Sequence, residues 1–286
     1  MNASLKWTVS GGRVLRPAPF LIAGIVNVTP DSFYDGNAHF GLTDAVNHGL
    51  LLRDQGAHIL DVGGESTRPY ADKVSEDEEL DRVVPVVEAL SVALGTEGDE
   101  ETVISVDTYK AEVARQALEA GASILNDVSA FAFDDGLLDV IAEYQPGYVL
   151  MHSLGKPEDM QNAPSYENVV DEILAFFELK MEQLCSRGLA EEKIVLDPGI
   201  GFGKLLEHNL NILNNIDKFA TLGRPVYMGL SNKSLFGQLL GLEPDQRQSA
   251  TQVATALLAA KGVQIHRVHE VEKTRQSLTL VQEISR

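Results

Sequence analysis

The chain has 286 residues, 44% of them hydrophobic, which suffices for one large core or two of ordinary size. Its formal charge is −19, from 42 acidic and 23 basic residues. That excludes a general binder of nucleic acid or anionic membrane, since either needs a basic face; a few placed cations can still hold one small anionic substrate.

A single cysteine, Cys185, rules out an internal disulfide. It lies in the amphipathic stretch "FFELKMEQLCSRGL" and is expected on the core side of a helix. The opening "MNASLKWTVS" lacks the basic and apolar regions of a signal peptide. No apolar run approaches the ~20 residues of a membrane span. The expectation is a cytoplasmic protein with no nucleic-acid or membrane partner.

In chain order, "LKWTVSGGRVLR" places two short alternating segments around Gly11–Gly12, a hairpin signal. Eight apolar strand-like runs follow: 20–28, 58–62, 103–106, 123–126, 147–151, 194–196, 225–229 and 263–268. Most precede a segment of helical spacing, such as "DAVNHGLLLRDQG" or "YKAEVARQALEAG". The runs are apolar without strict alternation, as expected when both faces of a parallel sheet are buried. Gly56, Gly121, Gly188 and Gly262 stand where helices end. Eight β/α units in this length favour an α/β fold of the (β/α)8 TIM-barrel type with a short N-terminal β-hairpin, and an open doubly wound sheet is the alternative. No linker or repeat divides the chain, so residues 1–286 are expected to form one domain.

In such a barrel the active site gathers at the C-terminal strand ends. Asn27 and "VTPDSFYDGN" follow the first run, "GGESTRPYADK" the second and Asp107 the third. Asn126, "MHSLGKPEDM", Asp197 with "PGIGFGK", "LSNKS" with Lys233 and Ser234, and "HRVHE" follow the remaining five. Asp107, Asn126, Asp197 and Lys233 lie within or just past apolar runs, where a lone polar group is costly unless bonded. Arg267 and His269 are two apart and face one side of a strand, while His266 faces the other. Two carboxylates, an amide and a lysine suit a flat heterocycle edged with N–H and C=O groups. Asn27, Arg68, Arg267 and His269 suit an anion, and the Asn27 amide oxygen a cation. Ser234 opens a helix whose N–H groups favour a carboxylate or phosphate.

The segments "GIVNVTPDSFYDG", "DVGGESTRP", "SVDTYKAEVA", "GASILNDVS", "LDPGIGFGK" and "RVHEV" together resemble the dihydropteroate synthase family of pterin-binding enzymes, the targets of sulfonamides. The resemblance runs from about Ala18 to the C-terminal helix. It implies a transferase of folate biosynthesis that condenses 6-hydroxymethyl-7,8-dihydropterin diphosphate with 4-aminobenzoate by a dissociative displacement of diphosphate. It implies Mg2+ as cofactor, with Asn27 as the metal and diphosphate contact. Asp107, Asn126, Asp197 and Lys233 then correspond to the pterin-binding groups, and Arg267 and His269 to the diphosphate clamp. Thr67 and Arg68 sit on the second loop, Ser234 meets the aminobenzoate carboxylate, and Phe202 forms an apolar wall. Lys233, Asp107, Arg267 and His269 are the expected catalytic set. A homodimer through late helices is also implied. The sequence departs from the family pattern at Asn232, where arginine is usual, at Tyr70, where glycine is usual, and at Ser153 after "MH".

Overall fold

The computed structural model describes residues 5–28, 38–66, 73–96, 102–155, 160–161 and 164–285. Strands β1 (Trp7–Thr8) and β2 (Val14–Leu15) pair antiparallel as the hairpin. Eight parallel strands follow: β3 (Leu21–Asn27), β4 (Ile59–Gly63), β5 (Val103–Asp107), β6 (Ile124–Asp127), β7 (Gly147–Met151), β8 (Ile194–Asp197), β9 (Tyr227–Gly229) and β10 (Ile265–Val268). Their order is β8-β7-β6-β5-β4-β3-β10-β9. A parallel bridge between Leu196 and Val226, with Leu196 N–H donating to the Pro225 carbonyl at 3.0 Å, joins the two ends and closes the barrel. All eight expected runs form strands, and closure decides against the open sheet.

Helices α1 (Ala38–Asp54), α2 (Glu76–Thr96), α3 (Ala111–Glu119), α4 (Leu137–Tyr144), α5 (Val169–Ser186), α6 (Leu206–Asn214), α7 (Ser234–Leu240), α8 (Gln248–Ala260) and α9 (Val271–Ile284) alternate with the strands, α7 and α8 both falling between β9 and β10. The four expected helix-ending glycines all have positive φ, from 94° to 119°, a region open to glycine at little cost. Cys185 corrects the sequence reading. It is exposed, because α5 buries Val169, Val170, Ile173, Phe177 and Leu184, and the residue after Leu184 is turned about 100° off that seam. No described helix is long and apolar enough to cross a membrane.

Two cores result. Outward-facing strand residues such as Ile22, Val62, Ile104 and Leu150 pack on the helices. Inward-facing Leu21, Ala23, Ile59, Val103, Ile124, Val149, Val195 and Ile265 fill the barrel, with Trp7, Val9 and Leu15 of the hairpin region beneath them. Trp7 is fully buried and donates its indole N–H to the Lys193 carbonyl at 2.8 Å, stoppering the N-terminal end.

Candidate active site

On five strands the inward column starts apolar and ends polar. On β4, Ile59 is followed two residues later by Asp61; on β5, Val103 by Ser105 and Asp107; on β6, Ile124 by Asn126; on β8, Val195 by Asp197; on β10, Ile265 by Arg267. Period-2 alternation puts each pair on the same face. Register completes the ring, since Gly63 aligns with both Asn27 and Asp107, and Asp107 with Asn126. The polar groups therefore crown the C-terminal mouth.

A clasp of charges organises one side. Arg267 donates through Nε to Asp61 Oδ2 at 2.5 Å and through Nη2 to Asp107 Oδ2 at 2.6 Å. Asn126 donates to the same Asp61 oxygen at 3.1 Å. Asp61 is fully buried, and Asp107 and Asn126 nearly so. Burial pushes the Asp107 carboxyl up to about 7, with Arg267 opposing and the Asp61 charge adding to the rise. Two carboxylates held on one guanidinium keep its plane fixed.

The other side is built by the turn after β8. Asp197 Oδ1 accepts from Gly199 N–H at 2.8 Å, and burial lifts its carboxyl to about 6 against that bond and the nearby Lys233 charge. Lys233 Nζ lies 4.1 Å from the centre of the Phe202 ring, a cation–π contact, and burial lowers its ammonium to about 8. Below it, buried Lys204 approaches His152 Nδ1 at 2.9 Å and donates to the carbonyls of His152 and Phe202 at 3.1 and 2.9 Å. Burial brings Lys204 to about 7, and burial beside that lysine takes His152 to about 2. At Gly199, φ is 67° and a Cβ would stand 2.0 Å from the His152 carbonyl oxygen, so only glycine lets these two loops interlock.

The structure thus brings together Asp107, Asn126, Asp197, Phe202, Lys233 and Arg267. His269 stands at the rim with Nδ1 2.8 Å from Ser231 Oγ, on the loop that carries Lys233. Asn27 ends β3 exposed, and Ser234 opens α7 exposed. Thr67 and Arg68 lie outside the described residues, as do Asp31, Ser32 and Tyr70. His266, as expected, faces the other way and is buried. At Asn232 φ is 57°, a left-handed conformation that asparagine tolerates better than most side chains, and its carbonyl accepts from Arg247 Nη1 at 3.2 Å.

Sequence reasoning missed Asp61 and Lys204. Asp61 sits mid-strand in "HILDVGG", and the overlooked signal was a carboxylate inside a fully buried run. Lys204 ends "PGIGFGK" and reads as a solvated loop residue until its three acceptors are seen. Lys110 was also passed over: it is buried against Glu65 at 2.6 Å and against Glu79, and so ties the residues just after β4 to α2.

The family model described as "Pterin binding enzyme" matches residues 23–269. The chain is 43% identical over 261 residues to a dihydropteroate synthase of Escherichia coli strain K12, covering 91% of this chain and 90% of that one. It superposes on the Yersinia pestis dihydropteroate synthase crystallised with a sulfonamide drug complex with TM-score 0.89 and 39% identity, covering 98% and 99% of the two chains. With the Xanthomonas albilineans dihydropteroate synthase in complex with 7,8-dihydropteroate the TM-score is 0.84 and the identity 39%, over 96% and 97%. With its closed barrel, its crown of inward polar residues and identity at this level along nearly the whole length, this chain belongs to the pterin-binding enzyme family, in its dihydropteroate synthase branch.

Proposed function

We propose that the chain condenses 6-hydroxymethyl-7,8-dihydropterin diphosphate with 4-aminobenzoate, giving 7,8-dihydropteroate and diphosphate for folate biosynthesis. The observation that carries this reading is the barrel mouth itself: Asp107, Asn126, Asp197 and Lys233 converge beside Arg267, so one pocket offers hydrogen bonds for a flat ring next to cations for a diphosphate.

In this reading Asn126 and Asp197 bind the polar edge of the pterin, and Lys233 completes the ring of donors. Arg267, fixed by Asp61 and Asp107, presents its remaining N–H groups to the diphosphate, with His269 beside it just past the end of β10. As the C–O bond breaks, negative charge grows on the leaving oxygen, and the Arg267 cation with the His269 N–H donor stabilises it. The pterin methylene becomes cation-like, and ionised Asp107 and Asp197 offset that charge from below. The aniline nitrogen of aminobenzoate then attacks. It is a weak base and nucleophile already carrying its lone pair, so no side chain has to deprotonate it first; the proton it sheds once the C–N bond has formed passes to the released diphosphate. Phe202 forms the apolar wall beside its ring, and Ser234 takes its carboxylate. Thr67 and Arg68 serve the same substrates from the second loop.

The donor set fits Mg2+. Asn27 offers a hard amide oxygen at the exposed end of β3, and magnesium favours few protein ligands with water and phosphate oxygens for the rest. Bound there, the ion would neutralise charge on the departing diphosphate. We also take the chain to be cytoplasmic and homodimeric. Exposed Val253 and Leu257 on α8, and Leu280 and Ile284 on α9, support pairing through the late helices, which light scattering tests.

The deciding experiment incubates the protein with pterin diphosphate, aminobenzoate and Mg2+ and follows both products. Equal release of diphosphate and dihydropteroate is expected. Pterin binding without dihydropteroate under any metal condition overturns the reading.

A further inference from the structure

Four polar atoms in the barrel interior are buried and have no hydrogen-bond partner among the described residues: Tyr227 OH, Ser105 Oγ, Asp61 Oδ1 and Asp107 Oδ1. Buried polar atoms are nearly always paired, so four orphans in one region call for an explanation. The topology puts them together. Asp61 and Ser105 are register partners on neighbouring strands, and Asp107 lies two residues above Ser105 on the same face. In the closed order, β9 stands directly across the barrel from β5, so the inward Tyr227 side chain crosses toward Ser105 and Asp107. Tyr227 aligns with Ile265, one layer beneath Arg267. Above it on β9 is Gly229, where the Arg267 stem passes 4.0 Å from the position a Cβ would take. Tyrosine is long enough to carry its hydroxyl from the apolar layer up to the charged one.

We propose that these four atoms form a binding site for one buried water beneath the pterin pocket, through which Tyr227 positions the Asp61–Arg267–Asp107 clasp. The donor count closes. Two hydroxyls donate and two carboxylate oxygens accept, and a water has two lone pairs and two protons to meet them. No other single small ligand satisfies both halves of that set as simply; a cation would leave both hydroxyl protons unmatched. The charge environment agrees. Burial and the Asp61 charge hold the Tyr227 hydroxyl well above its usual range, with Asp197 and Asp107 adding and Arg267 opposing, so the phenol stays a donor at any working pH. The groups facing this region are Asp61 on β4, Asp107 on β5, Asp197 on β8, Arg267 on β10 and Lys233 above β9. Tyr227 is buried one layer beneath Arg267, away from the open mouth. It is a positioning residue, reaching the clasp through the water.

The test is Tyr227→Phe, which keeps the ring and removes the hydroxyl, alongside Ser105→Ala and the double variant. Crystals diffracting well enough to show ordered solvent should hold one water on these four atoms in the wild type and lose or displace it in Y227F. In the kcat/KM profile, removing a donor that favours ionised Asp107 should move the acid limb up by about half a unit to one unit in Y227F. The double variant should move it no further than the larger single shift, because one water serves both hydroxyls. An interior without that water, an unmoved acid limb in folded Y227F, or fully additive shifts overturns the proposal. It rests on the mouth being the pterin pocket. Wild-type turnover tests that reading separately, so an active wild type with an indifferent Y227F removes only the water.

Discussion

Replacing Arg267 by methionine tests the clasp at the centre of the site. The guanidinium is the cation shared by Asp61, fully buried, and Asp107, almost so, at 2.5 and 2.6 Å. Methionine keeps much of the stem volume and leaves two buried carboxylates facing each other. Removing one member of a buried ion pair costs about 3–5 kcal/mol, mostly through the charge left behind. At about 2–4 °C per kcal/mol for a chain of this size, the melting temperature should fall by roughly 6–20 °C. The loss should depend on pH. Burial already holds the Asp107 carboxyl near 7 with Arg267 opposing, and without that opposition it rises further. A carboxyl raised in this way adds stability below its unfolded value and loses it as pH rises through the folded value. The deficit of R267M against wild type should therefore be small at pH 5 and largest above pH 8. Melting curves of both proteins across that range measure it. The double variant R267M/D61L should recover much of the stability but none of the turnover, since it removes one stranded charge without restoring the diphosphate contact. A drop under about 2 °C that is the same at every pH would refute the reasoning, because it would mean that the carboxylates do not depend on Arg267.

Lys233→Ala removes a donor beside the reacting centre and should lower kcat about 10²–10³-fold in a steady-state assay of dihydropteroate formation, while circular dichroism stays native. The wild-type kcat/KM profile should be bell-shaped. Asp197 and Asp107 lose their charge as pH falls through about 6 to 7, and Lys233 loses its proton as pH rises through about 8; a flat profile from pH 5 to 9 contradicts this. Gly199→Ala meets the His152 carbonyl at 2.0 Å on a left-handed backbone, so it should cost at least about 1–3 kcal/mol in urea denaturation, whereas an alanine at Gly201, whose nearest neighbour is the flexible Lys233 stem at 3.5 Å, should cost less.

The eight strands were readable because each is a short run buried on both faces and bounded by turn residues. Asp107, Asn126, Asp197, Lys233 and Arg267 were readable because they sit where such runs stop. Asp61 was not. It is enclosed by Leu60 and Val62, and the residue that accounts for it, Arg267, is 206 positions away. A local pattern cannot show a partner at that separation. Tyr227 passed for one more apolar strand residue because only barrel closure reveals what its hydroxyl faces. Cys185 failed for a local reason: helical phase misjudged by one residue turns a buried position into an exposed one. Lys204 was illegible because its partners are mainly backbone carbonyls, whose positions depend on the path of two loops.

The hairpin beneath the barrel also gives the molecule a built-in reporter. Trp7 is the chain's one tryptophan, fully buried at the closed end and bonded to the Lys193 carbonyl, with the barrel's apolar filling between it and the mouth. Its indole emission maximum reads the seal at the base and is silent to whatever occupies the other end. Ligand titrations should leave the emission maximum in place, whereas denaturant should shift it to the red as the hairpin detaches. Comparing that signal with far-ultraviolet dichroism shows whether the stopper leaves before the strands part.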